Sequence, residues 1–309
     1  MRPTRLAALT LAAAATAAAA TAVVANQGSA SPRAAVPAAA VAPAPAPASA
    51  RGAAPAAVHR PDHVIVVMFE NKNYSSVNGS SSAPYLNSLS KAGTLSTNSF
   101  GLTHPSQPNY IGLFSGSQHG VTGDTCTNLT GDNLGQQLIS AGLSFKGYSE
   151  SLPSAGYTGC TSGNYARKHA PWASFPTVSG ASYNVPFSSF PTDYTKLPTL
   201  SFVIPNMCDD MHDCSIKTGD TWLKNHLDGY VQWARTHNSL LVATFDEDNF
   251  TSVNQIYTSF GGQYVKPGYA SGTQIDHYTL LRTLEDLYGL PALGSAASRT
   301  PLTDFWTAG

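Results

Sequence analysis

Beyond residue 60 the chain alternates between two patterns. Short, nearly unbroken apolar runs stand at 63–69 (HVIVVMF), 199–204 (TLSFVI) and 240–245 (LLVATF), and the more mixed 145–149 (FKGYS) is read as a strand with them. Runs of this kind, rich in β-branched residues and bounded by polar ones, suit strands covered on both faces. The stretches at 84–92, 108–117, 133–141, 221–236 and 277–288 between or after them read as helices. Strands alternating with helices predict an α/β fold, a three-layer α/β/α sandwich around a mainly parallel sheet. Functional groups in such sheets gather just beyond the carboxyl ends of the strands, so the residues that follow each run are the first place to look for chemistry.

The first 60 residues show neither pattern. Residues 1–30 carry two arginines, an apolar stretch over about 6–25 and small residues near Ala25 and Ala30, as in a secretory signal. The stretch approaches the roughly 20 residues that span a bilayer. Alanine is only weakly hydrophobic, however, and no basic stop-transfer flank follows. The expectation is therefore cleavage and secretion, with no stable membrane insertion afterwards. Residues 31–60 are mostly alanine and proline, too poor in core-forming side chains to offset their ordering entropy, and read as an extended linker. Residues 61–309 are left as one large domain.

Charge follows the same division. Five of the 17 Lys/Arg and none of the 18 Asp/Glu lie in the first 60 residues, which leaves 12 basic against 18 acidic residues, or −6, in the domain. An acidic domain does not suit a nucleic-acid binder, whose affinity comes largely from Lys and Arg. It does suit a site that gathers carboxylates around a cation. Four cysteines in an exported chain favour two disulfides; pairing of local neighbours gives Cys126–Cys160 and Cys208–Cys214. No CxxC spacing supports a cysteine zinc site.

Polar residues follow two of the strand runs directly, Glu70-Asn71 after the first and Asp246-Glu247-Asp248 after the last. Each could be no more than a turn or helix cap. Together they would converge at one edge of the sheet, where crowded like charges call for a cation. A third polar stretch, 205–214, holds Asp210 and His212 in a loop that could equally be a solvated acidic one. Asp276 before His277 suits a helix N-cap. Ser106, ahead of Pro108 in a first helical turn, is either a cap or a hydroxyl placed where helix amides favour a phosphate. No GxSxG, HExxH or GxxxxGK[ST] motif is present.

FENKNY at 69–74, THPSQPNYIGLFSG at 103–116, YARKHAPW at 165–172, IPNMCDDMHDC at 204–214, TFDEDNF at 244–250 and IDHYTLLRTLEDLYGL at 275–290 resemble the bacterial phosphoesterase family of secreted acid phosphatases and phospholipase C enzymes. Within it, the chain is most similar to the short secreted acid phosphatases, including those of the phosphatidylinositol 3-phosphate phosphatase type. SQPNY also resembles the nucleophile turn of nucleotide pyrophosphatases in the wider alkaline phosphatase superfamily.

The resemblance implies an alkaline phosphatase-like fold, a phosphate-ester substrate and at least one divalent metal ion, with calcium, magnesium, manganese, zinc and iron all open. It further implies Ser106 as nucleophile and Glu70, Asn71, Ser106, Asp246 and Glu247 as metal ligands. Asn109 would hydrogen-bond a phosphate oxygen, and Lys168 and His169 would contact phosphate or the leaving group. His104 or His169 would protonate the departing alcohol. Asp210, His212 and His277 stand open between metal and substrate. The reaction expected is phosphomonoester hydrolysis through a phosphoserine, with a phospholipase C-type diesterase and a cation-dependent binding protein without turnover as the alternatives. The long C-terminal extensions of the larger phospholipase C members have no counterpart here, which tells against a bulky lipid specificity.

Overall fold

The computed structural model describes residues 59–307; the expected signal segment and nearly all of the linker lie outside them. In chain order the elements are β1 (His63–Phe69), α1 (Tyr74–Val77), α2 (Pro84–Ala92), β2 (Thr94–Phe100), α3 (Gln107–Ser115), α4 (Leu134–Ser140), β3 (Phe145–Ser149), β4 (Thr161–Ser162), β5 (Tyr165–Ala166), β6 (Asn184–Pro186), β7 (Leu200–Ile204), α5 (Ile216–Ala234), β8 (Ser239–Phe245), β9 (Gln255–Gly262), β10 (Tyr269–Ser271), β11 (Ile275–Asp276) and α6 (His277–Tyr288). A nine-stranded sheet runs in the order β10-β2-β9-β8-β1-β7-β3-β6, with β11 also on β2. It is mostly parallel, as expected, but β9 runs antiparallel to both β2 and β8.

The expected strands at the centre, β1, β7 and β8, are buried almost end to end. Side chains alternate across the sheet. Val64, Val66 and Met68 join one core layer with Tyr110 and Phe114 of α3, Leu138 of α4 and Leu284 of α6. Ile65, Val67 and Phe69 join the other with Leu86 of α2 and Leu223 and Leu227 of α5. Helices thus cover both faces, which completes the three layers.

Two of the longer strands escape the apolar pattern. β2 (TLSTNSF) and β9 (QIYTSFGG) carry hydroxyl residues inward, and three meet across strands: Ser99 Oγ of β2 lies 2.9 Å and Thr244 Oγ1 of β8 2.8 Å from Thr258 Oγ1 of β9. Helix α5 starts at Ile216, five residues ahead of the expected boundary, because Ser215 accepts from Thr218 N–H at 3.2 Å as its N-cap. The added turn has a tertiary use. Helix α2 has no side-chain cap of its own, and Asp220 of α5 accepts from its Tyr85 and Leu86 N–H groups at 3.0 and 2.8 Å. Helix α3 ends at Gly116 (φ 71°), where a Cβ would lie 2.1 Å from Leu293 O, so only glycine fits. Among the described residues no helix is long and apolar enough to cross a membrane.

Candidate active site

Parallel pairing of β1 with β8 sets Phe69 opposite Phe245, so the two polar clusters leave the sheet at the same level. Asp246 N–H donates to Phe69 O at 3.0 Å, and Asn71 N–H donates to Asp246 Oδ1 at 3.1 Å. Asn71 adopts a left-handed φ of 45°, which turns the chain sharply after Glu70 and brings its amide back over the cluster. Glu70, Asp246 and Glu247 are completely buried.

Ser106 arrives from the other side. It holds the N-cap position of α3, yet its backbone is already helical (φ −54°, ψ −56°) and its side chain makes no capping bond. The hydroxyl instead lies 2.8 Å from Glu70 Oε2, 3.2 Å from Asn71 Oδ1 and 3.1 Å from Glu247 Oε1. Asn71 Oδ1 is in turn 2.8 Å from Glu70 Oε2 and 3.2 Å from Glu247 Oε1. Four oxygens are gathered around one serine proton, which can serve only one acceptor at a time. Oxygens that share a small divalent ion at about 2.1 Å stand about 3 Å apart, so this set could hold such an ion, with the Asn71 carbonyl facing it. Turned the other way, the Asn71 amide would donate to its three neighbours. Among the described residues no group of three or more His, Cys, Asp or Glu side chains forms a metal cage by itself. This cluster has two carboxylates, completed by an amide and a hydroxyl. Asp246 adds an orphaned buried Oδ2 beside it.

Behind the cluster, His169 Nε2 is 2.9 Å from Glu70 Oε1, close but off-line for a hydrogen bond, and its Nδ1 is 3.0 Å from Asp210 Oδ2. Its ring stacks on Tyr110 at 5.1 Å. Burial pushes this imidazole down, but the two carboxylates outweigh it and lift His169 to about 10. Burial likewise opposes ionisation of Glu70, and His169 more than compensates, drawing it down to about 2. At the other two carboxylates burial wins: it lifts Glu247 to about 7 against the pull of His104 and Ser106 and, with the charges of Glu70 and Glu247, holds Asp246 well above its ordinary value.

Several expected roles change. Both nitrogens of His169 face carboxylates, so it carries positive charge behind Glu70 and has no free nitrogen for a leaving group. His104 is likewise occupied, with Nδ1 2.5 Å from Glu247 Oε2 and Nε2 3.1 Å from Thr251 O. Asn109 offers nothing to a phosphate oxygen. Its amide donates to Thr103 O and Pro105 O at 2.8 and 3.3 Å, and its carbonyl accepts from Leu102 and Thr103 N–H at 2.7 and 3.1 Å. It fixes the loop that delivers Ser106. His277 is buried with Nε2 2.5 Å from Asp246 O and supports the backbone there. Asp276 is the N-cap of α6, as expected, accepting from Thr279 N–H at 2.8 Å. Asp210 turns inward to His169, leaving His212 partly exposed, its ring 5.9 Å from that of His169 and its Nδ1 2.7 Å from Asp213 Oδ1. Lys168 Nζ lies 2.7 Å from Asp124 Oδ2. Asp124 and the stacking Tyr110 are the residues sequence reasoning passed over. Tyr110 lay within the SQPNY segment already singled out, whereas nothing in the sequence marked Asp124. Both disulfides form as expected, Cys126–Cys160 and Cys208–Cys214.

The phosphoesterase family model matches residues 80–291, a span that includes Ser106, Lys168, His169, Asp246 and Glu247. The chain is 50% identical over 248 residues to the phosphatidylinositol-3-phosphatase of Mycobacterium tuberculosis, covering 79% of this chain and 82% of that protein. It is 31% identical over 228 residues to the phosphate-repressible acid phosphatase of Penicillium chrysogenum, covering 68% of this chain and 55% of the fungal one. The chain thus spans most of the mycobacterial relative and about half the length of the fungal one. Among solved structures, a protein of the alkaline phosphatase superfamily from Vibrio parahaemolyticus superposes with a TM-score of 0.55 at 11% identity, over 79% of this chain and 71% of that one. A phosphonate monoester hydrolase from Silicibacter pomeroyi gives 0.52 at 10% identity, over 80% and 76%; at such identities the likeness is one of fold. This chain belongs to the phosphoesterase family and is a phosphate-ester hydrolase on an alkaline phosphatase-like fold.

Proposed function

We propose that the protein is a secreted, metal-dependent phosphatase that cleaves phosphomonoesters through a phosphoserine at Ser106, with phosphoinositides such as phosphatidylinositol 3-phosphate among its substrates. The observation that carries this reading is the Ser106 hydroxyl, free of any capping bond and within 3.2 Å of Glu70, Asn71 and Glu247. The 50% identity to a phosphatidylinositol-3-phosphatase supports the substrate class. The two disulfides suit an oxidising compartment, in keeping with a leader at 1–30 and a linker at 31–60.

Glu70, Asn71, Ser106 and Glu247, with Asp246 beside them, would hold the ion; a divalent cation there supplies the charge that lowers a serine pKa and neutralises phosphate oxygens. Ser106 Oγ attacks phosphorus in line while the amino end of α3 and Lys168 take up charge on the non-bridging oxygens. His169, positive between Glu70 and Asp210, keeps Glu70 ionised. Water then cleaves the phosphoserine. With His104 and His169 occupied, His212 is the histidine left to protonate the departing alcohol, held through Nδ1 by Asp213.

Ser106→Ala should lose aryl phosphatase activity by at least about 1,000-fold, as removal of a nucleophile does. Chelation should abolish activity reversibly. Near wild-type turnover by Ser106→Ala would end the reading, and a clear preference for a diester over the matching monoester would move the enzyme to the phospholipase C type.

A further inference from the structure

Asp124 occupies a place that phosphate chemistry would want. Its Oδ1 accepts from Gln107 N–H at 3.1 Å, the first residue of α3 and the neighbour of Ser106, and its Oδ2 lies 2.7 Å from Lys168 Nζ. A helix-terminal amide and an ammonium beside the nucleophile are the donors that a non-bridging phosphate oxygen would use. The loop is also held by its next residue, Thr125, whose N–H donates to the buried Gln107 Oε1 at 2.5 Å. One residue further, Cys126 is bonded to Cys160. The backbone is thus anchored, yet the Asp124 side chain is 30% exposed, against 0% for Glu70 and Glu247. A carboxylate on a fixed backbone with a solvent-facing side chain can leave its partners by rotation alone.

We propose that Asp124 is an internal competitor for the phosphate seat: it holds Gln107 N–H and Lys168 between turnovers, yields them to the substrate's phosphate, and retakes them as inorganic phosphate departs. The proposal rests on the reading of Ser106 as nucleophile. Two anions cannot share these donors at close range without repulsion, so a returning carboxylate weakens the hold on product. Product release limits many hydrolases, and a built-in competitor would relieve that step without touching the bond being broken.

The test compares wild type with Asp124→Asn and Asp124→Glu. Inorganic phosphate is the probe, read as a competitive inhibitor of aryl phosphate hydrolysis and, by calorimetry, as a ligand of each form in a Ser106→Ala background. Asp124→Asn keeps an acceptor for Gln107 N–H and removes the charge, so phosphate should bind at least about tenfold more tightly by both measures, with kcat and KM falling together. Asp124→Glu, which retains a carboxylate, should stay within about threefold of wild type and shows that the loop tolerates substitution. Unchanged or weaker phosphate binding by Asp124→Asn would overturn the proposal and leave Asp124 as a strut for Lys168. Failure of the underlying reading has a different signature, full turnover by Ser106→Ala, and would remove the proposal with it.

Discussion

Glu70 Oε1 and His169 Nε2 lie 2.9 Å apart with side chains almost wholly shut off from solvent, and Asp210 approaches the same imidazole from its other nitrogen at 3.0 Å. One cation therefore stands between two buried carboxylates. Replacing it by a neutral residue leaves both uncompensated, and breaking a buried ion pair by removing one partner costs about 3–5 kcal/mol. His169→Asn should lose stability on that scale in urea unfolding of the metal-free protein, and adding Asp210→Asn should restore part of it. A loss below about 1 kcal/mol would show that the triad contributes little to the fold.

His212 gives a prediction about leaving groups. If its imidazole protonates the departing alcohol, His212→Asn should slow hydrolysis of an alkyl phosphate by about 100-fold or more, the usual worth of a general acid. An aryl phosphate with an acidic phenol needs little such help and should slow by much less. Equal losses on both substrates would exclude His212 from proton transfer.

Glu285 on α6 is fully buried, with Oε1 accepting from Leu293 N–H at 2.8 Å and Oε2 unpartnered. Burial lifts its carboxyl from 4.5 to about 7 against the pull of Leu293 N–H and Arg282. Between those values the folded state keeps a proton that the unfolded state has released, so stability contributed here falls as pH rises through that range and levels off above it. Melting temperatures of wild type and Glu285→Gln between pH 5 and 8 should diverge in slope, with the variant flatter. Parallel slopes would mean that Glu285 titrates as an ordinary surface acid.

The disulfides should differ in weight. Cys126–Cys160 spans 34 residues and Cys208–Cys214 spans six; by loop entropy in the unfolded chain they are worth about 4 and about 2 kcal/mol. Replacing Cys126 and Cys160 together by Ser should therefore lower the urea midpoint more than the same change at Cys208 and Cys214. The reverse order would show that unfolded-state entropy is not what they contribute.

Much of this was legible in sequence because it depends on neighbours along the chain. The runs that became β1, β7 and β8 are apolar on nearly consecutive residues because both faces of those strands are covered, and Glu70, Asp246 and Glu247 were candidates because they follow such runs. β2 and β9 were not visible: inward hydroxyls such as Ser99 and Thr258 meet their partners only across strands, with Thr244 of β8 completing the set, and no local pattern reports that pairing.

The sequence by itself determined the alternation of strand and helix, the four cysteines available for pairing and the side chains able to do phosphate chemistry. Tertiary structure decided what each of those side chains is free to do. Ser106 resembles a helix cap until β1 and β8 end side by side and turn three oxygens toward it. Asn109 and His104 resemble catalytic groups until the surrounding loops take up their hydrogen bonds. Asp124 meets Lys168, 44 residues away, only because the folded chain brings a surface loop across the amino end of α3. A side chain's chemistry belongs to its residue type, but its availability depends on which donors and acceptors the fold has already assigned to it.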